Sequence, residues 1–578
     1  MSDLLTKRAF VLYVTLLLAV SSLAGLAAAQ GRSPESLQPD LFITVALQRN
    51  TPVARGNILI LPSPNGHASL TRPQGKSSAS AVISPSITAN ALNIGLSPYG
   101  VGPTITSTTT QPEAEEEIAA DPSDTLGNNL IAAISDFSQP SGFNFTKWAL
   151  STDGGSTSPW NENFVPYNSS TGLLLTSDGR SWNANSDPVL AFDKSGNVYL
   201  SDLYIAIDSQ GRITSEGLYV STDTFGNLQQ PGGNFGHTYR VRANFNNKKT
   251  VSLEDKPWIA VDNSSTVLAG YVYASWSHFT GCKNQFSPFL GYYLTCSSDV
   301  LYLAYSKNHG QTWSTPIVIN PSGQNNAVQG SQVAVGPDGK VYVAYEFFGS
   351  GDQRQQYLSL GSWSSGTLSF STPFAVTPVF SELNFSGCAN CIASYRVNSF
   401  PNVTIGPATG SNPSGNVYVA YGAQADSTST AQVSFVACTN NCTGSAAFTA
   451  PAIVNDNLAG DHFFPAVAVD QSGVIHASWF DTRNSPANPD YLDIYAAFLT
   501  YDSGTNSFTV SPNARVTPSA MDASLLDLFG DTSFIGDYAG IAATAATPAS
   551  AHPAWNNASG FLGYLLSGSL QTATLTLP

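Results

Sequence analysis

The sequence predicts an all-β chain folded as a β-propeller of about seven four-stranded blades, with six as the alternative. Three observations carry that expectation. The first is a recurring pair of short apolar strands, whose connecting turns fall at positions 121, 193, 262, 336, 406, 470 and 536, roughly 64 to 74 residues apart. That spacing holds four strands of ordinary length with their turns. The second is composition: 48 glycines, 35 prolines, 11% aromatic and only 11% charged residues suit many short strands joined by tight turns. The third is the absence of any long amphipathic helical pattern after the N-terminus. A lone four-stranded unit cannot cover both of its faces, whereas radial packing of such units can.

The repeats run in order. Ile118-Ala-Ala-Asp121 pairs with Leu130 to Asp136, Val189-Leu-Ala-Phe-Asp193 with Val198 to Leu203, and Trp258-Ile-Ala-Val-Asp262 with Tyr271 to His278. Val333-Ala-Val-Gly336 is followed by Val341 to Glu346, Val403-Thr-Ile-Gly406 by Val417 to Tyr421, and Ala466-Val-Ala-Val-Asp470 by Val474 to Asp481. The seventh copy, Phe534-Ile-Gly536 with an element before Trp555, fits least well. Two apolar stretches between Phe561 and Leu577 are available to complete its blade. Turns such as Asp193-Lys-Ser-Gly-Asn197 and Asp470-Gln-Ser-Gly473 place Gly where a positive φ is needed and Asp where a side chain closes the turn.

Residues 1–29 predict a secretory signal: Lys7 and Arg8, an apolar run from Ala9 to Leu26, and a small-residue end at Ala27-Ala-Ala29. An uncleaved anchor is the rival reading, since the run is just long enough to span a bilayer. Once the signal is cleaved, no membrane span is expected. Residues 30–116 read as a low-complexity, extended leader ending in the acidic run Glu113 and Glu115 to Glu117, able to donate a strand to the domain behind it; residues 117–578 form the propeller. Six cysteines in an exported chain favour disulfides. The local pairing is Cys282–Cys296, Cys388–Cys391 and Cys438–Cys442, with a zinc site from the last four as the alternative. A formal net charge of −16 argues against nucleic acid as a partner.

A second motif lies beyond the third strand of several units. Ser306-Lys-Asn308-His-Gly310-Gln-Thr-Trp313 and Ser151-Thr-Asp153-Gly-Gly155-Ser-Thr157 follow the pattern Ser-x-Asp-x-Gly-x-Thr-Trp, with Asn308 in the Asp position and Ser158 in place of the tryptophan. Ser221-Thr-Asp223 and Thr500-Tyr-Asp502-Ser-Gly504 are shorter copies. Over roughly residues 117 to 578 the chain resembles the sialidase-like BNR (Asp-box) repeat superfamily. That resemblance implies a propeller in which Ser151, Asp153, Gly155, Ser306, Asn308, Gly310 and Trp313 stabilise hairpins and carry no chemistry.

The resemblance also implies what a sialidase would need: clustered arginines for the substrate carboxylate, a Tyr–Glu nucleophile pair and an Asp acid/base. The nearest counterpart of the family's early Phe/Tyr-Arg-Ile-Pro motif is Tyr395-Arg396, late in the chain. Starts of first strands and ends of second strands share one rim of a four-stranded meander, and functional loops gather on such rims. Asp187, Glu254, Asp255, Asp461 and His462 fall at the starts; Asp136, His278, Glu346, Asp481 and Arg483 fall at the ends; Asp531 and Asp537 accompany the last unit. From these, Asp481, Arg483, Glu346 and Arg396 form the candidate catalytic set. Asp481, Asp490 and Asp493 form a candidate calcium set, although the fold requires no cofactor. The expected function is a secreted, monomeric module, extracellular or periplasmic, that binds a glycan or an extracellular protein. The alternative is an exo-acting glycoside hydrolase working at the propeller mouth.

Overall fold

A computed structural model describes residues 100–578 except 103–104, 107–112, 137–144, 158–159, 210–211, 246–250, 288–290, 384–396, 409–411, 427–428, 440–441, 489, 503–506, 524–534 and 558–569. Seven antiparallel sheets follow one another along the chain, which settles the blade number. Their innermost strands are Glu113–Ala120, Ala184–Phe192, Val251–Val261, Val328–Val335, Asn402–Ile405, His462–Val469 and Gly540–Ala543. Each packs beside the innermost strand of the next blade, and the seventh packs beside the first, so the sheets close around a common axis. The second strands, such as Val341–Phe348 and Ile475–Asp481, are buried on both faces. Their aromatics Trp276, Tyr345, Tyr421, Trp479 and Trp555 fill the space between blades.

The seventh blade is built from both ends of the chain. Its second strand, Ser550–Asn556, pairs with Leu570–Thr572 and Leu575–Thr576. Those two pieces pair in turn with Ile105–Thr106 and Gly100–Val101. The segment before residue 116 thus supplies the outermost strand of the last blade. It also supplies the start of the first blade, whose inner strand begins at Glu113, ahead of the boundary expected at 117.

The seventh repeat was misplaced by the sequence reading. Its turn is at Thr544, whose N–H meets the carbonyl of Ser550 as Asp193 N–H meets Asn197. Gly536 lies instead at the start of that repeat, with φ at 94°. The inner strand Gly-Ile-Ala-Ala has no large apolar residue to mark it.

Five inner strands share a two-residue bulge near their start, at 115–116, 187–188, 256–257, 330–331 and 464–465. The first residue of each bulge is left-handed: Glu115 (φ 64°), Asp187 (61°), Lys256 (51°), Gly330 (64°) and Phe464 (48°). A bulge turns a side chain out of the sheet's alternation and re-aims it. At Gly330 only glycine fits, because a Cβ there would come within 2.3 Å of the Phe400 ring.

Two disulfides of the expected local pairing are formed, Cys282–Cys296 at the base of a long hairpin and Cys438–Cys442. Cys388 and Cys391, like the signal segment, lie outside the described residues. Among the described residues, no helix is long and apolar enough to cross a membrane.

Candidate functional site at the axis

Three of the left-handed bulge residues carry charge, and all three meet. Lys256 Nζ lies 3.2 Å from Glu115 Oε1, 3.6 Å from Asp187 Oδ2, and in contact with Asp537 Oδ2. Asn398, described at the start of the fifth blade, donates from Nδ2 to the Asp537 backbone carbonyl (2.9 Å) and to Oδ1 (3.2 Å). One ammonium therefore links the first, second, third and seventh blades. Left-handed backbone costs a non-glycine residue on the order of 1 kcal/mol or more, a cost that the ion pairs of these side chains offset. The sequence carries a faint signal of them: an X-Pro step falls at the bulge in Asp187-Pro188, Lys256-Pro257 and Phe464-Pro465, and Phe400-Pro401 stands just before the inner strand of the fifth blade. Asp187 and Asp537 were singled out by their positions, whereas Lys256 was missed and Glu115 was assigned to the leader.

Electrostatics follow from burial. Glu115, Asp187, Lys256 and Asp537 are at most 4% exposed. Burial and the neighbouring Asp187 push the Glu115 carboxyl well above its usual range, although Lys256 opposes the shift. Burial alone would lower the lysine, but Asp537, Glu115 and Asp187 outweigh it, and Lys256 titrates above its normal range. Burial pushes Glu117, next along the strand, to about 8. Tyr538 is raised well above its ordinary value by burial and then by Glu115 and Asp187; its hydroxyl donates to the Pro188 carbonyl at 3.2 Å.

Two further networks occupy rim positions. Glu254 accepts from Trp276 Nε1, from His278 Nδ1 (2.9 Å), from Arg242 Nε (3.1 Å) and from Asn244 Nδ2 (2.7 Å). Asp481 does the same in the sixth blade, accepting from His462 Nδ1 (2.8 Å), Trp479 Nε1 (2.9 Å) and Arg483 Nε (2.8 Å). Against burial, the bonds from His462 and Arg483 hold the Asp481 carboxyl below its usual range.

The candidate catalytic set is not assembled at one place by these contacts. Asp481 and Arg483 are bonded to each other, and Arg483 also grips Asp456 (2.6 Å) and Asn513 (3.0 Å). Glu346 pairs with Arg354 (3.1 Å) in the fourth blade. Arg396 lies outside the described residues. Of the other propeller arginines, Arg212, Arg240, Arg242, Arg354 and Arg515 each pair with a nearby carboxylate, and Arg180 lies over the Phe245 ring. Arg180 and Arg240 share the Phe245 ring, and Arg483 and Arg515 sit on the cross-strand pair Asp481 and Asp493, so the closest arginines meet in pairs that are already bound to ring or carboxylate.

In the calcium trio, Asp481 and Asp493 face each other across paired strands, but each is taken up by other partners. Asp493 Oδ1 accepts from Arg515 (2.7 Å) and Thr517 (2.7 Å) and Oδ2 from Asn484 (2.7 Å), while Asp481 is committed as above. Among the described residues no three acidic, histidine or cysteine side chains converge as a metal site. The two Ser-x-Asp/Asn-x-Gly turns share one geometry. Ser151 Oγ accepts from Gly155 N–H and Ser306 Oγ from Gly310 N–H, each at 2.9 Å; each hydroxyl donates to Asp153 or Asn308; Trp313 Nε1 donates to the Gly310 carbonyl at 2.8 Å.

No family model matches the chain, and no curated protein does. Among solved structures, the chain is similar to a protein of unknown function from Dyadobacter fermentans, at 12% identity and a TM-score of 0.39, covering 84% of this chain and 99% of that one. It is similar to an α-L-arabinofuranosidase of Fusarium graminearum, at 14% identity and a TM-score of 0.40 over 73% of this chain and 99% of that one. It is also similar to a sialidase from Streptococcus pneumoniae, at 11% identity and a TM-score of 0.38 over 82% and 69%. What those proteins act on is a property of those proteins.

Proposed function

We propose that the protein is an extracellular, non-catalytic propeller that binds a glycan or protein ligand through its rim, and that its axial charges are a clasp holding the ring closed. One observation carries this reading: the axial carboxyls are closed on Lys256. Glu115 Oε1 and Asp187 Oδ2 lie 3.2 and 3.6 Å from the one ammonium, so neither carboxyl is left open to a substrate as a free acid or base. Lys256 fills the space between them, and all four groups are nearly sealed from solvent. The two disulfides suit an oxidising compartment. The test is to present the exported chain to an array of immobilised glycans and extracellular proteins, and in parallel to fluorogenic sialosides and neutral glycosides. Retention without turnover is the expected result; turnover of any glycoside would overturn the reading.

A second reading, an exo-acting glycoside hydrolase, is favoured by the charge environment of one tyrosine. Tyr538 lies among Glu115, Asp187 and Glu117, a Tyr–Glu pairing of the kind the sialidase resemblance implies. Against it, Tyr538 is shifted away from ionisation and already donates its hydroxyl proton. Turnover that disappears in a folded Tyr538→Phe variant would establish this reading in place of the first.

A further inference from the structure

On the face away from the axial clasp, a cleft of about 360 Å³ opens between the outer strand of the second blade, His237–Phe245, and the Ser306–Gly310 turn of the third. That volume is within the range of ligand clefts, roughly 300–1,000 Å³. Its walls include His237, Tyr239, Asp223 and His309.

The hydrogen-bond polarity of the cleft can be worked out. Tyr199 has one hydroxyl proton, and it donates that proton to Asp193 Oδ2 at 2.9 Å. The 3.1 Å contact between Tyr199 Oη and His309 Nδ1 is therefore donated by the histidine. In the neutral ring, with Nδ1 also 3.5 Å from Asp193 Oδ2, Nε2 of His309 is the acceptor. The ring is held by a left-handed backbone (φ 52°) and by close approach to Gly270, where a Cβ would come within 2.8 Å of Cε1.

Asp223 is fixed as well. Its Oδ1 accepts from Thr224 N–H and Asn227 Nδ2, each at 2.7 Å, and its Oδ2 accepts from Gly236 N–H at 2.8 Å, which leaves acceptor capacity on Oδ2. Beside them the rings of His237 and Tyr239 stack, with centroids 5.6 Å apart and planes 27° apart.

We infer that this cleft is a binding site for a neutral sugar unit. Fixed acceptors call for a ligand that donates several O–H groups, and the ring stack calls for an apolar face; a pyranose or furanose ring has both. A carboxylated sugar would be repelled by Asp223. The inference deepens the binding reading and rests on it, since it names the ligand class and places contact at the periphery.

The experiment titrates the full exported chain with methyl glycosides and disaccharides of neutral sugars, and with N-acetylneuraminic acid, by saturation-transfer NMR and calorimetry. His309→Asn and His237→Ala are compared with the parent; both side chains are exposed, and Asn tolerates the left-handed turn. Saturable binding of a neutral sugar, with Kd weakened about tenfold or more in each variant, is the expected result. A preference for the acidic sugar, no saturable neutral binding, or equal affinity in parent and variants would each overturn it. In the last case the glycan-binding reading survives and only this location falls.

Discussion

Lys256 satisfies three carboxyl neighbours at once, and removing it does more than delete three contacts. A buried ion left without its partner costs about 3–5 kcal/mol. Lys256→Met would leave Asp187 and Asp537 facing each other in a dry axis, so urea unfolding should show a loss of that order, partly recovered by adding Asp537→Asn. No recovery in the double variant would mean that the ammonium acts independently of Asp537. Glu117 gives a pH dependence of definite sign. Its folded pKa, about 8, lies above its usual 4.5, so between those values the folded chain holds a proton that the unfolded chain has released. Its contribution is complete below about pH 4.5 and declines as pH rises to about 8. Glu115, Asp202 and Glu216, all raised by burial, act in the same direction. Stability should therefore fall from mildly acidic to mildly alkaline pH, and Glu117→Gln should flatten that fall. An unchanged slope in the Gln variant would remove Glu117 from the account.

At the level of strands and turns, the parts written in alternation and turn chemistry were readable. Val341 to Glu346 or Ile475 to Asp481 announces a buried strand, and Asp470-Gln-Ser-Gly473 announces the hairpin beside it. The bulges were not readable, because each adds a single residue close to the strand's start, leaving too few residues before it for the shift in alternation to show. The run Glu113 to Glu117 has the composition of a linker, yet Glu115 and Glu116 are at most 1% exposed. Its burial depends on Lys256, about 140 residues away, which no local window contains. Asp187 and Asp537 were found because strand starts share a rim; Asp481 and Arg483 were also found there, but they neutralise each other. The closing strand was anticipated only as a strand the leader could donate. A chain beginning at Ser107 lacks Gly100–Val101 and Ile105–Thr106 and leaves the third strand of blade seven as an open edge. Compared with a chain beginning at Leu96, it should melt earlier and aggregate more; identical melting would make the added strand dispensable. Ser306→Ala should cost about 1–3 kcal/mol, since the buried Gly310 N–H would lose its acceptor.

Across the whole molecule the ring has one seam unlike the others. Most neighbouring blades meet through large side chains, such as Trp276 with Leu203 and Leu218, or Tyr345 with Leu301 and Leu303. At the seam of blades seven and one, blade seven contributes the small residues Ala542 and Ala554 with Leu570, against Ile118, Leu130, Ala132, Ile134 and Trp160 of blade one. Alanines bury little apolar surface, and hydrophobic stabilisation scales with the area removed from water, at about 25 cal/mol per Å². This is also the seam where the two ends of the domain join. The clasp spans it: Asp537, just before the inner strand of blade seven, reaches Lys256 of blade three, which also holds Glu115 of blade one and Asp187 of blade two. Charge thus acts at a seam to which blade seven brings mostly alanines. Local opening follows local stability, so hydrogen exchange should find the seam. In Asp537→Asn, amide exchange should rise first in Glu113–Ala120, Gly540–Ala543 and Ser550–Asn556, and remain slow in Val341–Phe348 and Val417–Ala423, which pack between large neighbours on the far side of the ring. A uniform rise across all seven blades would mean that the ring opens as one unit and that the clasp holds no particular seam.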